Sequence, residues 1–153
     1  MSVSARLVEL GIEIPEVVPP VAAYVPAVAT GRYVYTSGQL PMRGGEMIAA
    51  GLVGAAVDAD VAKDCARQCA INALAAIQSA IGDLERVTRV VKVVGFVASA
   101  PGFTGQPGVI NGASEVLGEI FGDAGRHARS AVGVAALPLD APVEVEMIVE
   151  VAD

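Results

Sequence analysis

The stretch Arg126-His127-Ala128-Arg129-Ser130-Ala131-Val132-Gly133-Val134, followed after Leu137-Pro138 by Val143-Glu144-Val145-Glu146, decides the fold of this chain. Its pattern predicts two β-strands joined by a proline-bearing turn. Arg129 stands in a strand that is otherwise small and apolar. A guanidinium group fits a carboxylate through two parallel hydrogen bonds. We therefore expect Arg129 to bind an anion.

The composition indicates one folded domain over residues 1–153 with extra apolar surface. The chain has 153 residues, of which 54% are hydrophobic and 18% charged, and this balance excludes a disordered protein. The mean hydropathy of +0.58 is high for a monomer of this size. We interpret the excess as subunit contact surface, because obligate interfaces resemble a core cut in half.

Length and charge exclude two classes of partner. A membrane-spanning helix needs roughly 20 uninterrupted apolar residues, whereas the run from Cys69 to Ile81 is broken by Asn72 and Gln78. The first residues lack the apolar core of a secretory signal, so we expect a cytoplasmic protein. The net charge is −7 and the basic residues are scattered. Nucleic acid is therefore not expected as a partner.

The two cysteines, Cys65 and Cys69, lie four residues apart on one predicted helix. We interpret them as small buried thiols. No His or Cys cluster accompanies them, so we expect no zinc site. A structural disulfide is not expected in a reducing compartment.

The order of elements predicts a two-layer α+β domain. After a short helix over Ser4–Leu10, the pattern reads strand, strand, helix, strand, helix, strand, strand, with two helices on one sheet. Asp58 and Gly82 are typical residues just before and just after a helix. The predicted elements are strands at 24–28 and 33–36, a helix at 58–81, a strand at 87–98, a helix at about 109–121, and strands at 128–135 and 143–151.

Strand alternation predicts which side chains share a face. In the last strand, Val143 and every second residue to Val151 should face the helices. Matching apolar faces puts Arg129 and Glu144 together on the other side. A simple closing hairpin would separate these two by roughly 20 Å. Either the register is bulged, or the two meet across a subunit boundary.

Two motifs resemble the YjgF/RidA (reactive intermediate deaminase) family. They are Tyr35-Thr36-Ser37-Gly38-Gln39-Leu40-Pro41 and Ala128-Arg129-Ser130-Ala131-Val132 with the Leu137-Pro138…Val143-Glu144-Val145-Glu146 ending. The resemblance implies a chorismate-mutase-like fold, homotrimers and a ligand cleft between subunits. It also implies hydrolysis of 2-enamino and 2-imino acids to 2-keto acids and ammonia, without a cofactor.

The resemblance also implies roles for particular residues. Arg129 matches the arginine that binds the substrate carboxylate, and Glu144 matches the acid that orients water. The positions that match the cleft lining are Tyr24, Ser37, Gly38, Asn111 and Ala131. Ala131 stands where deaminases of this family often carry cysteine, and Gly133 where an acid is common. Residues 1–20 form an N-terminal extension, and the loop from Gly44 to Val57 is longer.

Each assignment has a plainer alternative. Arg129 could pair with an acid of its own sheet, such as Glu150, and Glu144 could be a solvated or interface carboxylate. Ser37 could be only a turn residue and Tyr24 a core residue. His127, the lone histidine, is expected at the surface. At the level of function, the alternatives are a trimer that binds a small carboxylate without turnover, and the ribonuclease activity once ascribed to this family, which the acidic charge opposes.

Overall fold

The computed structural model describes residues 1–17, 20 and 22–153. The helices in this part of the chain are α1 (Val3–Leu10), α2 (Ala59–Ile81) and α3 (Gln106–Phe121). The strands are β1 (Ala27–Thr30), β2 (Tyr33–Thr36), β3 (Met42–Arg43), β4 (Glu46–Met47), β5 (Val87–Ala98), β6 (Ala128–Val134) and β7 (Val143–Val151). Single 3₁₀ turns lie at Leu84–Arg86, Gly122–Gly125 and Pro138–Asp140.

Five strands form one sheet in the order β1-β2-β7-β5-β6, and α2 and α3 cover one of its faces. The β5–β6 pair is parallel and the other pairs are antiparallel. The short strands β3 and β4 form a separate hairpin. Between them lie Gly44 and Gly45, whose φ angles of 61° and 82° suit glycine. The predicted two-layer α+β class is confirmed, with α1 and this hairpin added to it.

The predicted boundaries of α2 are confirmed. Asp58 caps its first turn by accepting a hydrogen bond from the Val61 amide at 2.8 Å, and the helix stops before Gly82. The second long helix, α3, begins at Gln106, three residues before the expected start at Val109, because Pro107 is tolerated in a first turn. Both helices pack on the apolar face of the sheet, and the largest buried side chains there include Leu74, Ile77, Ile110, Leu117 and Met147.

The N-terminal helix is also confirmed, at Val3–Leu10, and ends at Gly11 with a left-handed φ of 67°. Its first turn is fastened to the body of the protein by Glu85. That carboxylate accepts hydrogen bonds from the amides of Val3 and Ser4 at 3.0 and 2.8 Å and from the Ser4 hydroxyl. Prolines at positions 15, 19 and 20 predict an extended stretch after this helix, and of these Pro19 lies outside the described residues.

The expected closing hairpin is wrong. β6 pairs with β5 rather than with β7, and β5 lies between them. The reason is that β7 already has partners on both sides, β2 and β5, so only the free edge of the twelve-residue β5 remains for β6. β6 is therefore an edge strand. Such a strand leaves one row of backbone donors and acceptors without sheet partners.

The expectation that Arg129 and Glu144 share the open face is also wrong. Arg129 is level with Val93 of β5 and, through it, with Met147 of β7, and both of these face the helices. Small side chains on this side of β6 make room for α3 and its preceding loop. A β-carbon on Gly133 would lie 2.8 Å from Gln106 Nε2 and 3.1 Å from Ser99 Oγ. The small residues thus accommodate packing within the chain.

The other face of the sheet is uncovered and partly apolar. Its exposed large side chains include Val28, Tyr33, Tyr35 and Val132, which are 51%, 42%, 44% and 44% exposed. These four come from β1, β2 and the opposite edge strand β6, so the apolar character spans the width of the sheet. Within the described ranges, no helix is both long enough and apolar enough to cross a membrane.

Candidate functional site

Arg129 projects from the edge strand β6 toward α3, where two polar side chains hold its guanidinium group. Arg129 Nη1 donates to Asn111 Oδ1 at 2.8 Å and to Ser114 Oγ at 3.2 Å. We call Arg129, Asn111, Ser114 and the neighbouring Ala131 the arginine half-site. Because one nitrogen makes both contacts, the remaining donors of the fork stay available for a ligand.

A histidine extends this network. Ser114 Oγ lies 2.9 Å from His127 Nε2, and His127 Nδ1 lies 2.6 Å from the Gly125 carbonyl oxygen. The carbonyl can only accept, so Nδ1 carries a proton, and in the neutral imidazole Nε2 then accepts from the Ser114 hydroxyl. The Ser114 oxygen is then free to accept from Arg129. His127, expected at the surface, is half-buried and helps to orient the serine.

The proposed ion pair between Arg129 and Glu150 is wrong, since Glu150 contacts Arg32 at 3.7 Å instead. Among the described residues, no carboxylate lies within ion-pair distance of Arg129. The acids of α3 are turned away, with Glu115 paired to Lys63 and Glu119 to Arg67, both on α2. An open cavity of about 410 Å³ adjoins the guanidinium group. Arg129 is thus a positioned cation with space beside it.

Glu144 lies on the opposite face of the sheet, next to the segment that follows β2. A β-carbon on Gly38 would lie 2.5 Å from Glu144 Oε1, so the glycine leaves the space that this carboxylate occupies. Ser37 donates its hydroxyl to the Val25 carbonyl at 2.6 Å. We call Glu144, Gly38, Ser37 and Tyr24 the glutamate half-site.

A second cavity, of about 500 Å³, is lined by Tyr24, Ser37 and Gly38 together with residues of the N-terminal extension and α2. Tyr24 is 58% exposed, so its assignment to the core is wrong. The Ser37 hydroxyl faces a backbone carbonyl, which fits the turn role. A ligand in this cavity would therefore contact the backbone of Ser37 and the neighbouring Gly38.

Burial raises the pKa of the Glu144 carboxyl above its ordinary value, and repulsion from Glu146 raises it further. A carboxylate with a raised pKa is a stronger base at neutral pH than a solvated one. Of the two acids predicted at this strand, Glu144 therefore has the environment that suits water activation.

The two half-sites are separated within one chain. Arg129 lies two strands away from β7 and is level with Met147, which is three residues from Glu144 along β7. The side chains of Arg129 and Glu144 lie on opposite faces of the sheet. The glutamate half-site lies toward the β1–β2 side of the sheet, and the arginine half-site lies at the β6 edge. A single copy therefore cannot bring both to one small ligand.

The remaining polar candidates carry no further site. Cys65 and Cys69 are buried free thiols, as expected. Burial raises the Cys65 pKa to about 11 and raises the Cys69 pKa well above its ordinary value. Over residues 1–17, 20 and 22–153, no three His, Cys, Asp or Glu side chains gather in a way that could hold a metal ion.

Ser114 was missed by the sequence analysis, although a signal existed. It stands three residues after Asn111, so the two share a face of any helix through them. A face carrying Asn and Ser inside an apolar helix predicts a polar partner on the strand beneath. The misassigned face of β6 hid that partner, which is Arg129.

The fold and the paired half-sites define a two-layer α+β protein of the chorismate-mutase-like class. Residues 4–151 match the family model described as "YjgF/chorismate_mutase-like, putative endoribonuclease". The chain is 45% identical to Protein TCP17 of Trypanosoma cruzi, over 97% of this chain and 93% of that protein. It belongs to the YjgF/RidA family.

Solved structures agree with this assignment. The crystal structure of Atu1372 from Agrobacterium tumefaciens is 47% identical, with a TM-score of 0.91 over 99% of this chain and 94% of that one. The crystal structure of Escherichia coli TdcF with bound serine is 28% identical, with a TM-score of 0.63 over 88% of this chain and 92% of that one.

Proposed function

We propose that this chain forms homotrimers that hydrolyse small 2-enamino and 2-imino acids to 2-keto acids and ammonia. The observation that carries the proposal is Arg129, which is held by Asn111 and Ser114, has no acidic partner among the described residues, and opens onto a cavity. An unneutralised, oriented guanidinium group of this kind fits a substrate carboxylate. TdcF, a similar protein, binds serine, which also carries a carboxylate beside an amino-bearing carbon.

The proposed assembly brings the two half-sites together. In each cleft, one subunit would contribute Glu144, Gly38, Ser37 and Tyr24, and its neighbour would contribute Arg129, Asn111 and Ala131. The partly apolar open face of the sheet supports this arrangement, since Val28, Tyr35 and Val132 would be buried between copies. The edge strand β6 supports it too, because its outer backbone groups could meet the neighbour.

In the proposed reaction, an enamine first takes a proton from solvent at its terminal carbon and becomes the iminium ion, and an imine reaches the same ion by taking a proton at nitrogen. Arg129 holds the carboxylate and fixes the orientation of the C=N bond. Glu144 accepts a proton from water as the oxygen attacks the iminium carbon, which gives a neutral carbinolamine. Glu144 then returns this proton to the nitrogen, the C–N bond breaks and ammonia leaves, while the hydroxyl group releases its proton to solvent as the C=O bond of the keto acid forms. The products are one 2-keto acid and one ammonia per water consumed.

The test is the rate of 2-iminobutyrate decay with wild type, Arg129→Ala and, as a matched control, Arg6→Ala in the exposed first helix. Losing a charge-assisted carboxylate contact should lower kcat/KM by about 10- to 100-fold. The control should match wild type, because Arg6 only pairs with Glu9 on its own helix. If wild type does not speed 2-iminobutyrate decay beyond the rate in buffer, the hydrolase proposal is overturned. The alternative of a trimer that binds a small carboxylate without turnover would then remain.

Endoribonuclease activity, which the description of the family names, is a weaker candidate function for this chain. A net charge of −7 disfavours an RNA backbone. RNA cleavage that survives in Arg129→Ala at full rate would indicate a contaminant.

A further inference from the structure

The cavity beside Arg129 is larger than a small imino acid requires. Its volume is about 410 Å³, and its lining residues are Ser114, Gly118, Gly125, Arg126, His127 and Arg129. Pockets of roughly 300–1,000 Å³ hold ligands of drug size. One of the lining residues, Gly118, has open space where a β-carbon would stand. A substrate with three or four carbons would fill only part of it.

The lining is basic in a chain that is acidic overall. Arg126 and Arg129 both border the cavity, and none of its lining residues is acidic. Like Arg129, Arg126 makes no ion pair with a carboxylate of the described residues. The acid of the adjacent 3₁₀ turn, Asp123, does not line the cavity. Two guanidinium groups without an acid between them indicate a ligand with two negative charges.

The hydrogen bonds show which side chain is available for the second charge. His127 uses Nε2 on Ser114 and Nδ1 on the Gly125 carbonyl, so it has no free donor. Ser114 uses its single proton on His127. Arg126 remains: its backbone amide donates to the Asp123 carbonyl at 3.1 Å, and the residue is exposed and borders the cavity.

We propose that this cavity binds a second carboxylate of the substrate, and that the protein prefers 2-imino dicarboxylates to 2-imino monocarboxylates. Arg129 binds the carboxylate next to the imine, and Arg126 binds the one at the far end. Arg126 is thus the residue that determines specificity. This inference rests on the proposed function, since it names the substrate class of the same site.

The kinetic test compares kcat/KM for 2-iminoglutarate and 2-iminobutyrate, each generated in place by an amino acid oxidase. Wild type should favour 2-iminoglutarate, and Arg126→Gln should lower its kcat/KM by about tenfold while changing the 2-iminobutyrate value by no more than about twofold. Arg6→Gln, which removes the same charge elsewhere, should leave both values unchanged. An equal loss for both substrates, or no loss for either, overturns the inference.

A binding measurement keeps this inference separate from the proposed function. By calorimetry, 2-oxoglutarate should bind wild type more tightly than 2-oxobutyrate does, and Arg126→Gln should remove most of the difference. If neither imine is hydrolysed faster than in buffer but this difference is found, the proposed function fails and the dicarboxylate site stands. If the two keto acids bind alike, the dicarboxylate site is overturned, whatever the kinetics show.

Discussion

Gly38 leaves room for the carboxylate of Glu144: a β-carbon at position 38 would lie 2.5 Å from Glu144 Oε1 and 2.8 Å from its carboxyl carbon. The atoms that would be displaced belong to the end of a flexible side chain. Gly38 is itself exposed and has no left-handed φ. A substitution there is therefore expected to move Glu144 without disturbing the fold.

Gly38→Ala is the first prediction. The proposed water-orienting carboxylate should shift, and kcat should fall by about tenfold or more, because a small misplacement of a catalytic group is costly. Thermal unfolding should remain close to that of wild type. Gly45→Ala, at a hairpin glycine with nothing near its missing β-carbon, serves as a control for glycine replacement. Unchanged kinetics in Gly38→Ala would argue against a role for Glu144.

Glu144→Gln should separate activity from stability. Removing the general base should lower kcat by about 10²-fold or more. Stability should change in the opposite direction. The raised pKa means that folding favours the protonated acid, so its contribution is present below the ordinary pKa and is lost as pH rises through the raised one. Glu144→Gln should therefore unfold at a higher temperature than wild type near pH 7, with the difference vanishing at acidic pH.

The same pKa predicts the pH dependence of the rate. A base acts only when deprotonated, so kcat should rise with pH through a pKa above the ordinary glutamate value. Initial rates of imine decay, corrected for the buffer reaction at each pH, provide the measurement. A profile that is flat above the ordinary glutamate range would contradict the assignment of Glu144 as the base.

Ser114→Ala should weaken substrate binding through Arg129. The substitution removes one acceptor of the guanidinium group and leaves His127 Nε2 without its partner. KM should rise on the order of tenfold, with a smaller change in kcat, since the lost contact orients the carboxylate-binding group. Ser79→Ala, at an exposed position of α2 where the hydroxyl donates to the Ala76 carbonyl of its own helix, is the matched control and should keep the wild-type KM.

Mixing two impaired variants tests whether the site lies between subunits. Arg129→Ala retains the glutamate half-site, and Glu144→Gln retains the arginine half-site. After unfolding and refolding at equal amounts, about a quarter of the clefts in a randomly assembled cyclic oligomer would contain both intact halves. Activity should recover toward that fraction of wild type. No recovery, although the mixed oligomers form, would mean that each site lies within one chain.

The attachment of α1 should depend on pH through Glu85. Hydrogen bonds from the Ser4 and Val3 amides, followed by the Ser4 hydroxyl, lower the pKa of the Glu85 carboxyl. A lowered pKa makes the contact favourable at higher pH and loses it as pH falls through the lowered value. The protection of the α1 amides against hydrogen exchange, relative to the intrinsic exchange rate at each pH, should fall in that acidic range. Glu85→Gln should show lower protection already at pH 7. Asp83→Asn, on the same turn but bonded to the Glu85 amide, is the neighbouring control.

The elements of this fold could be predicted because their signals are local. Asp58 and Gly82 mark the ends of α2, and the valine-rich run from Val87 to Ala98 coincides with β5. The pairing of the last two strands could not be predicted in the same way. A short connection between two strands favours a hairpin. Here β7 already had a partner on each side, which is a property of the whole sheet.

Some contacts among the candidate residues follow the sequence-based prediction, but their overall geometry does not. Arg129 and Asn111, named from the family motif, do meet at 2.8 Å, and Glu144 does lie beside Gly38. The opposite faces of Arg129 and Glu144 follow from the parallel register of β6 on β5, which no local pattern encodes. Ala131 and Gly133, on the same face of β6 as Arg129, accommodate the helix layer.

Both cysteines of this chain are buried in the helix layer as protonated thiols, since burial raises the Cys65 pKa to about 11 and raises that of Cys69 well above its ordinary value. Thiolates, not thiols, react with electrophiles and oxidants. Ala131 adds no third thiol at the proposed cleft. If the proposed reaction occurs, no reactive thiol lies beside it, and treatment with an alkylating agent that targets thiols should leave turnover intact.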